Sequence, residues 1–231
     1  MAYTFDQLAN WISLWSFKSA GKSKVPLVIR ACIGKNWGQG PQHSKSMQSI
    51  FAHIPGLKVV MPATAADAKG LLKTSIRDDD PVIFMESELM YGDKGNVPEQ
   101  EYLIPIGKSN IIHEGNDVTL VSFGKMMKVA EETFIEAKKE NISVEVIDLR
   151  SVRPIDYKSI VQSVKKTNRL VIIEEAWPLA SISSEISHHI QRFAFDYLDA
   201  PVHRITCEDV PFHYAPTLIK EILPNVEKAM K

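Results

Sequence analysis

The segment ACIGKNWGQGPQHSK (31–45) places Gly34, Gly38, Gly40 and Pro41 at spacings that break any helical or strand period, and then presents His43 followed by Ser44. Glycine has no Cβ, so such a stretch lets backbone approach a ligand closely or adopt positive φ. Imidazole titrates near neutral pH and is the side chain best suited to giving and taking protons there. A binding edge that ends in a proton-transfer residue is one reading; a structural turn is the other. The spacing matches neither the GxGxxG dinucleotide fingerprint nor a phosphate-binding P-loop. His53, His113, His188, His189, His203 and His213 are rivals to His43, and only the loop sets His43 ahead of them.

Two acidic groups could also carry chemistry. The run from Ile76 through Asp78, Asp79 and Asp80 offers carboxylates and helix-end carbonyls, which are hard oxygen ligands for a cation, although a solvated helix end has the same composition. Glu174 and Glu175 stand at the end of the apolar run LVII, where ligands gather in open α/β sheets; a packed or interface role is equally consistent. Cys32 and Cys207 lie far apart with no CxxC or Cys/His ligand spacing, which speaks against a disulfide framework or a structural zinc site and for a reducing, cytoplasmic setting.

The elements that must position these residues alternate between strand-like and helix-like periods. Residues 25–30, 57–61 and 82–85 read as buried strands, and 46–53 as a short helix. Residues 65–77 read as an amphipathic helix entered at Thr64, with Ala68, Leu71, Leu72 and Ile76 as its apolar stripe. Strand, helix and strand in this order predict a parallel α/β layer. Residues 91–106, rich in Gly, Pro, Asn and acidic side chains, read as a linker. Beyond it, 118–123, 144–149, 170–174 and 202–205 read as strands, with helices near 125–140, 157–166 and 181–195, a second α/β unit. The expected organisation is two domains, 1–105 and 106–231. Residues 1–17 place Phe5, Leu8, Ile12 and Trp15 at helical spacing, which predicts an aromatic-rich buried helix at the start.

Composition excludes several function classes. With 231 residues at 45% hydrophobic the chain can bury a sizeable core, and a net charge of -1 gives no field that would draw it to nucleic acid or anionic lipid. No signal peptide and no run of roughly eighteen apolar residues is readable, so no membrane partner is expected.

The loop GQGPQHSK, the stretch FAHIPGLKVVMPATAADAKGLLKTSIRDDDPVIFMESELMYG, then DLRSVRPID, SVKKTNRLVIIEEAWP, FDYLDAPVHRIT and DVPFHYAP together resemble the beta subunits of pyruvate and branched-chain 2-oxo acid dehydrogenases. The resemblance runs through essentially the whole chain. It implies an α/β fold made of a partial pyrimidine-binding domain, of the type that binds thiamin diphosphate, followed by a transketolase C-terminal-type α/β domain with a mostly parallel sheet. It further implies thiamin diphosphate shared with an alpha subunit that holds magnesium, a second beta subunit, and a dihydrolipoyl acetyltransferase as partner. The reaction implied is decarboxylation of a 2-oxo acid with transfer of the acyl group to a lipoyl group. FMESELMYG and EEAWP favour pyruvate; branched-chain 2-oxo acids and acetoin are the alternatives, and a deoxyxylulose-phosphate synthase or transketolase part fits QHS and RPID less well.

Carried over by motif, His43 matches the family histidine that positions the substrate or lipoyl group and delivers protons. Leu27, Ser75, Ile76, Asp78 and Asp80 match a potassium site of some relatives, with Asp80 where asparagine is common. RACIG stands where many pyruvate enzymes carry arginine followed by GPxG. Relatives begin well upstream of Met1, and the glutamate that hydrogen-bonds the aminopyrimidine ring has no counterpart here. The expectation is therefore a fragment, a split gene or a degenerate copy, with a non-catalytic assembly module as the competing reading.

Overall fold

Runs such as VIFM (82–85) and LVII (170–173) are apolar at every position rather than alternating, the pattern of strands covered on both faces. A computed structural model describes residues 2–35 and 38–231 and bears this out in two sheets. Met1, the side chain of Ala2, and the loop residues Asn36 and Trp37 lie outside what is described.

The strands are β1 (Val28–Cys32), β2 (Lys58–Val60), β3 (Val82–Glu86), β4 (Asn110–His113), β5 (Val118–Ser122), β6 (Val144–Asp148), β7 (Ser151–Arg153), β8 (Leu170–Ile173) and β9 (His203–Ile205). The first sheet has the order β1-β3-β2-β7 and the second β4-β6-β5-β8-β9. β1, β3 and β2 run parallel, as do β6, β5, β8 and β9; β7 and β4 add antiparallel edges to β2 and β6. Neither edge strand is legible in the sequence. β4 has a register shift within its four residues, and β7 has only three, too few to show a period.

The helices, in chain order, are α1 (Trp15–Lys18), α2 (Gly40–His43), α3 (Gln48–Ala52), α4 (Ala65–Ile76), α5 (Met127–Lys139), α6 (Tyr157–Thr167), α7 (Ile182–Phe193), α8 (Pro216–Ile222) and α9 (Val226–Ala229). Side-chain caps define the starts of the long ones: Thr64 accepts from the Asp67 N–H, Asp156 from Ser159 and Ser181 from Ser184. Asn168 closes α6 in the left-handed conformation at φ 62°.

Two sequence expectations need correction. The start of the chain is helical but broken: a π-helical turn (Gln7–Ile12) precedes α1, and only Leu8 is deeply buried among its apolar residues, while Tyr3, Trp11, Trp15 and Phe17 are exposed. This segment meets the molecule along one narrow stripe. Phe5 tilts on Phe51 at 6.2 Å between centroids, and Gly56 lies so near the Ser13 carbonyl that a Cβ there would be 2.0 Å from its oxygen. The buried face of α4 is Asp67, Gly70, Leu71 and Ser75, with Ile76 62% exposed. The reason lies in the linker, which crosses the helix. Tyr102 donates its hydroxyl to the Ala66 carbonyl at 2.7 Å, Thr74 donates to the Ile104 carbonyl at 2.8 Å, and a Cβ on Gly70 would strike both Ile104 and Tyr102.

A single hydrophobic cluster runs through both sheets, joining Phe51, Val59, Ile83 and Met85 to Val121, Ile147, Val152, Ile172 and Ile186. The carboxyl ends of β5 and β8 therefore sit against the loop that follows β1, and that is where the candidate site forms.

Candidate functional site

The loop between β1 and α3 is closed at its neck, where the Gly34 N–H donates to the Lys45 carbonyl at 3.0 Å. Gly34, at φ +81°, takes a conformation that other residues avoid, and a Cβ on it would lie 2.7 Å from the Glu175 carboxylate. Glu175, just past β8, is buried and receives the Lys35 N–H on Oε1 at 2.5 Å while its Oε2 pairs with Lys125 Nζ at 2.5 Å. Lys125, just past β5, in turn donates to the Lys35 carbonyl at 2.9 Å. The peptide groups flanking Lys35 are thus held from both sides by one ion pair.

The other end of the loop is fixed by the neighbouring carboxylate. Gln48 Nε2 donates to Glu174 Oε1 and to the Glu175 carbonyl, both at 3.1 Å. Glu174 is fully buried, and its oxygens also accept the N–H groups of Ile182 and Ser183 at the start of α7. Burial pushes the Glu174 carboxyl up, against the pull of these donors. Ser44 Oγ and Gln48 Oε1 are buried without a protein partner among the described residues. A crevice of about 20 Å³, the size of one water, lies between Gly34, Gln48, Glu86, Lys125 and Glu175.

His43 is the last residue of α2 and is exposed. Gly40, at φ +65°, packs directly on the ring of Tyr214, where a Cβ would come within 2.3 Å. Two of the rival histidines have structural work: His113 stacks on Phe134 at 3.8 Å and contacts Glu131, and His189 stacks between Tyr157 and Phe193. Among the described residues His43 lines neither the crevice nor the large open cleft of about 1550 Å³, which is walled by Phe5, Met47, Ile50, Ile54, Trp177 and Leu179.

The carried-over cation positions cluster, but their oxygens are already engaged. Lys58 Nζ pairs with Asp78 at 2.6 Å and Asp80 at 3.1 Å, the Leu27 carbonyl accepts the Val82 N–H, and the Ser75 carbonyl accepts that of Asp78. Lys58 Nζ thus stands between these two carboxylates and neutralises the charge they would offer a cation. Among the described residues no group of three or more His, Cys, Asp or Glu could hold a metal, and no helix is long and apolar enough to cross a membrane. The acidic groups at the edge of the site are likewise engaged: Glu86 is held by Arg30 at 2.6 and 2.9 Å, and Glu174 and Glu175 by the loop. These three carboxylates are therefore not free to meet an aminopyrimidine ring, and among the described residues no other is assigned to one.

The sequence is similar to known proteins over its full span. The family described as "Transketolase, pyrimidine binding domain" matches residues 3–94 and that described as "Transketolase, C-terminal domain" matches residues 107–229. The chain is 43% identical to the pyruvate dehydrogenase E1 component subunit beta of Rickettsia felis, covering 96% of this chain and 68% of that one. It is 46% identical to the corresponding subunit of Rhizobium meliloti, covering 97% of this chain but 49% of the relative, and 43% identical to the acetoin:2,6-dichlorophenolindophenol oxidoreductase subunit beta of Bacillus subtilis, covering 66% of it. The chain thus spans between half and about two thirds of the length of these relatives. In fold it is similar to a split gene transketolase described as an inactive beta4 tetramer, with TM-score 0.79 at 22% identity over 98% of this chain and 68% of that one. The chain belongs to the transketolase-like family, in the branch that includes the beta subunits of pyruvate dehydrogenase E1 components.

Proposed function

We propose that this chain is the beta subunit of a thiamin-diphosphate-dependent component that decarboxylates pyruvate and passes the acetyl group to a lipoyl group on a dihydrolipoyl acetyltransferase. The observation that carries the reading is the exposed His43 at the end of a glycine loop clamped at the carboxyl ends of β5 and β8, the position where open α/β sheets bind ligands. The cofactor, once bound, supplies the electron sink for decarboxylation. An alpha subunit holds its magnesium, and a second beta subunit completes the assembly. In this chain His43 orients the entering group and moves a proton at its imidazole, Gly40 lets Tyr214 close against the loop, and Lys125 with Glu175 fixes the backbone beneath. Two unbridged cysteines fit a cytoplasmic setting.

The similarity to an acetoin oxidoreductase subunit gives a second substrate reading. Both are tested by assembling the chain with its alpha partner, thiamin diphosphate and magnesium, and comparing turnover of pyruvate, acetoin and branched-chain 2-oxo acids. Carbon dioxide release from pyruvate is expected to dominate, and His43→Ala to lower kcat on the order of 10²- to 10⁴-fold. Preferential turnover of acetoin would replace the substrate. No turnover of any of them, with the alpha subunit and acetyltransferase still captured, would make the chain an assembly module.

A further inference from the structure

We infer that the ion pair Glu175–Lys125 is a positioning device for His43, a latch through which the C-terminal unit decides where the imidazole stands; the inference rests on the reading of His43 given above. Four observations converge on it. The pair closes a ring with the backbone of Lys35, since Glu175 takes its N–H and Lys125 its carbonyl, so the N–H and the carbonyl of Lys35 are both fixed by one pair of charges. Gly34 brings the backbone so near the carboxylate that no other residue fits without displacing it. The neck bond from Gly34 to the Lys45 carbonyl passes that constraint to the strand of the loop that leaves His43. Glu175 is buried and Lys125 partly so, with side chains 8% and 12% exposed, so the pair is little screened by solvent.

The placement of the pair in the fold points to more than packing. Lys125 and Glu175 come from turns that follow β5 and β8, neighbouring strands of the second sheet, while the loop belongs to the first. A charged pair placed there is costly to bury and needs the loop's peptide groups to complete its hydrogen bonding. Among the described residues the loop's other anchors include Gln48 on Glu174 and on the Glu175 carbonyl, and the contact of Gly40 with Tyr214. Loss of one charge leaves the other unpaired and releases the neck while the hydrophobic core stays whole.

The test uses the assembled enzyme and two variants, Glu175→Gln and Lys125→Met. Glu175→Gln keeps an oxygen for the Lys35 N–H and removes the charge that Lys125 meets. Hydrogen exchange of the peptide spanning 34–47 should rise about tenfold or more in each variant, with exchange in β5, β6 and β8 unchanged. In steady-state assays kcat should fall on the order of 10- to 100-fold with little change in KM, as expected for a displaced proton-transfer group. In a His43→Ala background the same substitutions should cost nothing further. Unchanged exchange in the loop, or an equal loss of kcat with and without His43, would overturn the latch. Exchange that rises as described in an assembly with no turnover would sustain the latch as a loop anchor and reject the functional reading instead.

Discussion

A histidine on the surface of a one-turn helix has little to hold it, so what His43 can do depends on the backbone beneath it. That backbone is governed by residues remote in sequence, Lys125, Glu174, Glu175 and Tyr214. Another single residue has a consequence for pH. Asp148 ends β6 fully buried, with Oδ1 receiving the Arg150 N–H at 3.0 Å and Oδ2 unpartnered among the described residues. Burial pushes its carboxyl up to about 7, and the nearby Asp67 charge adds to this, while the Arg150 N–H and guanidinium oppose it. A carboxyl whose folded pKa is raised binds more protons folded than unfolded between its ordinary range and about 7, so its contribution to stability falls as pH rises through that window. Thermal melts from pH 5 to 8 should therefore show a declining midpoint, and Asp148→Asn, which retains an acceptor for Arg150, should flatten the decline. A variant that melts with the wild-type slope would show that Asp148 is ionised throughout.

At the scale of elements, α4 is the helix whose packing is least like its pattern. Its start is set by Thr64, which accepts the Asp67 N–H at 3.0 Å and donates its own hydroxyl to the Asp67 carboxylate at 2.6 Å. Removing that cap by Thr64→Ala should cost about 1 kcal/mol, seen as a midpoint roughly 2–4 °C lower in thermal unfolding. A loss within error would mean that the linker strap alone holds the helix start. The strap is the reason the buried face of the helix departs from its apolar stripe. Ala68, Leu71, Leu72 and Ile76 form the more apolar stripe, yet the chain buries Gly70 and Ser75, because an incoming segment needs small residues to lie close and Asp67 must reach Arg150. Periodicity reports the average polarity of a face and is silent about a strap that covers it from outside.

At the scale of the molecule, the two sheets behave as one body. β7, from beyond the linker, pairs with β2; the Met61 N–H donates to the Arg150 carbonyl at 2.8 Å; Arg153 donates to the Ala52 carbonyl at 2.8 Å; and Arg150 pairs with the buried Asp67 at 2.8 Å. Circular dichroism and tryptophan fluorescence should report a single coincident unfolding transition, and Arg150→Ala should lower stability by about 3–5 kcal/mol by leaving Asp67 buried and unpaired. Two separated transitions would show that the sheets unfold independently and that this junction is weak.

The sequence by itself determined the parallel strands and the long helices of both α/β layers and the loop that carries His43, because strand burial, helix period and glycine spacing are local properties of the chain. It also carried the family, since QHS, RPID and EEAWP are short contiguous motifs. Only the tertiary structure decided that β4 and β7 are strands, that Glu175 and Lys125 meet around Lys35, and that Lys58 stands between Asp78 and Asp80. Each of these joins residues separated by many positions, and the energy that selects such a pairing comes from burial and charge neutralisation, which no local pattern records.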